Sequence, residues 1–264
     1  MLKLVRCELW KYKRNRTIPL LTGMAVLFPL ALVIMTRSRI GGTQDWRTLY
    51  DYYDYLFSNN LAYSFMLFLP CLIGSVGAAL FFAERDNDTF KNLRTIPITC
   101  GQLVFAKLIV LYLWAAFYAV LTTVSVTVFC AAVNYRAVYD FPFKMMAGIL
   151  AGIMIVSVSL PVIVIVIYLN QNYVLSMLFS FSYSIFHWFL LILFARHKII
   201  VQFLPLITGL FWVSSLLEYR KNVLFGDSMS FVSGSDHLRV FVCLTVIMTL
   251  SIALILHFYK KWSR

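Results

Sequence analysis

Glu84-Arg85-Asp86-Asn87-Asp88-Thr89-Phe90-Lys91-Asn92-Leu93-Arg94-Thr95-Ile96-Pro97 is a polar stretch set between two long apolar runs, and nothing else before residue 200 packs charge so tightly between spans. Its Asn-Asp-Thr cluster offers helix N-caps, Phe90 and Leu93 lie three apart on one face, and Pro97 stops the turn. Thr99-Cys100-Gly101-Gln102 then has the Thr-x-x-Gln form of a capping box that opens the next helix. The order is span, short surface helix, sharp stop, span. Two readings fit it: a helix that presents two apolar residues at the membrane face for docking, or a solvated turn.

On either side the sequence is dominated by apolar runs of about twenty residues, the length that crosses a bilayer as a helix. Hydrophobic residues make up 61% of the chain and charged residues 13%. A soluble domain of this size has too little interior to hide that much apolar side chain. The fold class is therefore all-α: a polytopic helical membrane protein organised as one domain over residues 1–264. The net charge of +12 agrees, because the cations gather at the ends of apolar runs, where they orient the chain in the bilayer. No RNA- or DNA-binding motif accompanies them, so no nucleic-acid partner is expected. Cys7, Cys71, Cys100, Cys130 and Cys243 contain no C-x-x-C pair, and His187, His197, His237 and His257 contain no H-E-x-x-H or i,i+4 pair. Neither a disulfide framework nor a metal site is expected from them.

Towards the amino end, the run before Glu84 is a span from about Asn60 to Ala83, with Pro70 inside it and Gly74, Gly77 and Ala78 permitting close helix contact. Residues 37–60 form an outer segment containing Tyr50-Asp51-Tyr52-Tyr53-Asp54-Tyr55, a tyrosine density that belongs at a headgroup boundary. Tyr52 and Tyr53 are candidates for an aromatic, acidic outer vestibule that takes a cationic amphipathic ligand; the alternative is an aromatic belt on an interfacial helix. The first span runs from about Ile18 to Met35, too long for a signal-peptide core and without a small-x-small cleavage site. Residues 1–16 are basic, carry Leu2, Val5, Leu9 and Tyr12 at helical spacing, and read as an amphipathic helix on the cytoplasmic side.

Towards the carboxyl end, the third span opens after Thr99 and continues to about Val133, longer than a bilayer requires, so its first turns around Lys107 protrude or the helix tilts. The fourth span, Lys144 to about Tyr168, contains Gly148-Ile149-Leu150-Ala151-Gly152, a G-x-x-x-G seam either within the subunit or at a dimer face. The fifth occupies about Tyr173 to Phe194, with Ser176, Ser180 and Ser184 at i,i+4. Ile199 to Leu217 is apolar but broken by Pro205 and Gly209. As a seventh span it would put Lys260, Lys261 and Arg264 outside. As a segment that only dips into the outer leaflet it leaves six spans and both termini cytoplasmic, the arrangement the positive-inside rule prefers. The sixth span is then about Val240 to Tyr259.

Membrane enzymes and ion-coupled carriers carry facing ionisable groups at depth, and the spans here hold almost none. There is no G-x-S-x-G, no paired carboxylates, no filter-forming sequence and no G-x-x-x-x-G-K-[ST] phosphate loop. The chain is not expected to be an enzyme, and it has no ATP site or other cofactor of its own. Energy for pumping would come from a separate subunit, for which the stretch around Phe90 and Leu93 is the dock. A scaffold or sensor subunit that signals through the same helix without transport is the rival reading.

The stretch Glu84 to Pro97, extended to Ile98, resembles the permease subunits of type 2 ABC exporters, in which an acidic residue closes the second span and a Thr-x-x-x-Leu helix (here Thr89 and Leu93) and a Pro-Ile/Val stop follow. It is most similar to the bacitracin and lantibiotic immunity group of bacterial permeases. The resemblance implies that residues 84–98 hold a coupling helix inserted into a cleft of a soluble ATPase, which binds ATP and Mg. Asp88, Thr89, Phe90, Leu93 and Pro97 would build that contact, with Glu84 and Arg85 making charged contacts to the ATPase or to the amino-terminal helix. It also implies two ATPase copies and a second permease copy or paralogue, in a bacterial plasma membrane. Residues 199–217 would form a re-entrant outer hairpin before span six. The implied cargo is an amphipathic peptide or hydrophobic small molecule moved outward.

Overall fold

The computed structural model describes residues 2–14, 17–40, 46–86, 99–169, 173–194, 204–225 and 234–262. Every regular element among them is helical: α1 (Leu2–Arg14), α2 (Thr17–Thr36), α3 (Trp46–Asn60), α4 (Leu69–Asp86), α5 (Cys100–Val133), α6 (Phe141–Leu169), α7 (Tyr173–Phe194), α8 (Pro205–Phe225) and α9 (Gly234–Trp262), with short 3₁₀ turns at Arg37–Ile40 and Tyr135–Ala137. Six of the helical stretches are long and apolar enough to cross a membrane: Thr17–Thr36, Arg47–Phe82, Cys100–Val133, Phe141–Tyr168, Val174–Leu193 and His237–Lys261. α8 is not one of them.

α3 passes without a break into α4 through a π-helical stretch, Leu61–Phe68. The widening falls just before Pro70, whose ring clashes with the carbonyl four residues back and which has no N–H to give. The Leu69 N–H accordingly reaches Ser64 O, five residues back. Here the structure extends the reading from sequence, which began this span at Asn60. The helix starts at Trp46 because Leu49, Tyr52, Tyr53 and Leu56 recur at helical spacing and turn one face into a core shared with Val33, Val126, Cys130 and Ala137.

Burial separates centre from rim. Within an 18-residue apolar stretch of each, the Arg47–Phe82 and Phe141–Tyr168 spans are 78% and 72% buried, against 28%, 22% and 22% for Thr17–Thr36, Val174–Leu193 and His237–Lys261. The first pair and α5 make the centre, and α2, α7 and α9 lean on it with apolar faces turned outward. Small residues set the central distances. A Cβ on Gly152 would stand 2.8 Å from Ala119 Cβ and 3.3 Å from Ala115 O, and one on Gly148 would meet Thr123, so the G-x-x-x-G ridge of α6 lies directly on α5 of the same chain. Gly74 of α4 likewise faces Ser180 of α7, where Ser176, Ser180 and Ser184 are all buried. Beside the π-helical stretch a polar seam is closed by side chains: Thr122 donates to Asn60 Oδ1 at 3.0 Å, and Ser64 and Tyr118 share a hydrogen bond of 3.1 Å.

Two ionic layers mark the ends of the bundle, one around Glu84 and Lys107, the other around Asp54 and Lys144. Lys107 and Thr127, the latter at the Lys144 end, are about 30 Å apart along α5, the thickness of a bilayer's hydrocarbon. α1 and the last turn of α9 both reach the Glu84 layer. α8 begins beside Met154, midway along α6, where Gly209 lets the two helices approach, and climbs to the Lys144 end. Leu206, Ile207, Leu210 and Val213 form its buried face.

Candidate functional site

α4 ends at Asp86 and α5 opens after Thr99, whose side chain accepts from Gln102 N at 3.3 Å while Gln102 Oε1 accepts from Thr99 N at 3.2 Å. This is the capping box read from sequence, and it fixes where the chain re-enters the bundle. Residues 87–98, and with them Asp88, Thr89, Phe90, Leu93 and Pro97, lie outside the described residues, as does the side chain of Arg85.

What flanks that stretch is a sealed ionic knot. Lys107 is 1% exposed, and its ammonium lies 3.1 Å from Glu8 Oε2, 3.0 Å from Glu84 Oε1 and 2.6 Å from Leu80 O. An ammonium has three donors, and here each has an acceptor. Lys11 adds a second cation, 2.7 Å from Glu8 Oε1 and 3.3 Å from Glu84 Oε1. The Tyr259 hydroxyl donates to Glu84 Oε2, and its ring stands edge-on to Phe81, which is also 5.7 Å from the Lys107 ammonium. Stripping water from such groups costs several kcal/mol per ion unless pairing and hydrogen bonding are complete, and the knot meets that condition. Burial works to raise the Glu8 pKa, but Lys107 and Lys11 hold it below the ordinary glutamate value. Burial likewise works against the Lys11 ammonium, yet Glu8 and Glu84 raise its pKa. Glu84 therefore reaches the amino-terminal helix through Lys11, and the knot ties α1, α4, α5 and α9 together at both flanks of residues 87–98.

The opposite end is built around Lys144. Its ammonium is 2.7 Å from Asp54 Oδ1 and lies over the rings of Tyr53 and Tyr139 at 3.6 and 4.0 Å. Tyr139 donates to Asp54 as well; burial and that carboxylate push its phenol well above the usual range. Asp140, at φ 45°, adopts the left-handed backbone that aspartate tolerates, and its carboxylate takes Arg220 at 2.8 Å. Lys221 bridges Asp51 and Asp54 at 2.7 and 3.0 Å. A cavity of about 290 Å³ opens between these groups. Tyr52 and Tyr53 are buried behind it, hydrogen-bonded to Thr36 and Thr127 at 3.2 and 2.8 Å, and do not line it.

A family model described as ABC-2 family transporter protein matches residues 4–187. The chain belongs to the ABC-2 transporter family. No curated protein matches it. ABC-2 membership makes this a non-catalytic ABC permease fold, with an ABC ATPase partner and a membrane setting implied by the family. Among the described residues no group of His, Cys, Asp and Glu could hold a metal ion. Six spans and an all-α architecture make it a multi-pass membrane protein, consistent with the plasma membrane.

The ABC-2 match includes Glu8, Glu84, Lys107 and Lys144 but ends before α8 and Tyr259. Reading from sequence missed Lys107 as a knot residue. The available signal was a lysine inside an apolar helix, which requires a buried acid, and Glu8 is the single acid among residues 1–16.

Proposed function

We propose that this chain is the membrane-spanning subunit of an ATP-driven exporter of the bacitracin and lantibiotic immunity group, moving an amphipathic peptide or hydrophobic small molecule outward. The observation that carries the reading is the sealed knot. A push on residues 87–98 meets Glu84 on one flank and the start of α5 on the other, and the knot passes it to α1 and α9. Residues 84–98 are the coupling helix, with Phe90 and Leu93 as its apolar contacts in the ATPase cleft. Two ATPases carrying ATP and Mg serve two permeases, the second being another copy or a paralogue. The positive-inside rule puts the Glu84 end in the cytoplasm. α8, which starts at mid-depth and rises to the other end, is then the returning arm of a re-entrant outer hairpin.

The test is purification of the chain from its native membrane in mild detergent. An ATPase subunit should co-elute in stoichiometric amount, and Phe90→Asp or Leu93→Asp should abolish its association while leaving the chain inserted. A chain that elutes alone, or variants that keep their ATPase, would sink the coupling-helix assignment.

A further inference from the structure

The cavity at the Lys144 end is lined by three cations and three carboxylates, and because Lys221 also pairs with Asp51 outside the wall, every lining cation is engaged without Glu218. Lys144, Arg220 and Lys221 each already hold a carboxylate at 3.0 Å or less, drawn from Asp51, Asp54 and Asp140. Glu218, in the same wall, makes no hydrogen bond or ion pair among the described residues. An anion entering the cavity would have to break an existing pair, because no lining cation among the described residues is free. A cation would meet a carboxylate with nothing to give up but water. The rest of the lining includes the apolar side chains of Phe143, Leu217 and Leu224, with Ser58 and Ser214 as neutral polar groups.

We infer that this cavity binds the primary ammonium or guanidinium head of an amphipathic molecule, with Glu218 as its counter-ion and Phe143, Leu217 and Leu224 against the carbons next to the charge. At about 290 Å³ it lies at the lower limit of small-ligand sites. It therefore holds one lysine-sized group and its stem, and a longer molecule would lie with its remainder outside. Lys144 shows what this end of the bundle does for an ammonium: an aromatic face on two sides and a carboxylate within hydrogen-bond reach. The site assigns a charge to the cargo of the exporter reading and rests on that reading for its role. Binding itself needs no ATPase, so either idea can fail without the other.

The experiment uses the full chain in phosphatidylcholine nanodiscs, titrated with dansylcadaverine, a fluorescent amphipath ending in a primary amine. Its N-acetyl derivative has the same dye and chain without the charge. Saturable binding of the amine is expected, with the acetylated probe roughly tenfold weaker or worse. Glu218→Gln should weaken the amine by a similar factor, and Glu218→Asp should restore most of it. Glu218 is exposed, so neither change is expected to shift the melting temperature. Equal binding of the two probes, unchanged binding by Glu218→Gln, or a signal no greater than that of empty nanodiscs would each overturn the site.

Discussion

Both ends of the bundle set a buried lysine against carboxylates, but only one end is closed. At the Glu84 end the Lys107 side chain is 1% exposed and its partners Glu8 and Glu84 are 2%. At the Lys144 end the lysine is 5% exposed, but Asp54 is 22%, Lys221 33% and Asp51 66%. The first cluster meets its surroundings only through Lys11, whose side chain is 49% exposed. Its charges balance internally, and its work is to hold four helices at fixed separation. The second is wetted, borders a cavity and has a carboxylate to spare. Similar residues are thus committed to rigidity in one place and left available for recognition in the other.

The sharpest way to break this contrast is Lys107→Met, which leaves two buried carboxylates sharing only Lys11, a half-exposed cation. Removing one member of a buried cluster costs about 3–5 kcal/mol, and thermal unfolding in nanodiscs should show it as the largest loss. Adding Glu84→Gln should restore part of the stability; no restoration would mean that the knot is not a charge-balanced unit. Tyr259→Phe removes one donor to Glu84 and should cost about 1.5–3 kcal/mol, the range for hydrogen bonds to charged groups.

Acid should separate the two ends further. Glu8 is held below its ordinary pKa, so its contribution is complete at neutral pH and is lost as pH falls through the folded value, below 4.5. Unfolding midpoints followed downward in pH should fall less steeply in Glu8→Gln than in the natural chain. At the wetted end the effects shrink. Tyr53→Phe loses a neutral hydrogen bond to Thr127, about 1 kcal/mol. Arg220→Gln opens a part-exposed pair with Asp140, 41% and 17% exposed, and should lower the melting temperature least of these variants. A large loss from Arg220→Gln would show that the open end is structural after all.

What sequence revealed and what it hid follow from range. The spans were legible because bilayer thickness imposes length and apolarity locally, and Thr99 and Gln102 announced a helix start because their bonds are three residues long. The α3 extension was hidden: Tyr50 to Tyr55 look like a headgroup belt, and only the packing of Leu49, Tyr52, Tyr53 and Leu56 against α5 makes them core. The knot was hidden for the same reason. Glu8, Glu84, Lys107 and Tyr259 come from four helices, and no local pattern records that they meet. Glu218 was equally illegible, since its having no partner among the described residues is known only once Lys144, Arg220 and Lys221 are seen to be held by Asp51, Asp54 and Asp140.

Asp54 and Glu84 belong to one continuous helical stretch, at opposite ends of the bundle. One is at the wetted end and the other in the sealed knot. Suppose the stretch has two positions and a ligand at the Lys144 end prefers one of them. Whatever binds the Glu84 end with a preference of its own must then change that ligand's affinity, and the ligand must change the partner's affinity by the same factor. Cargo and motor would thus be joined by a reciprocal equilibrium, measurable from either side without a single turnover.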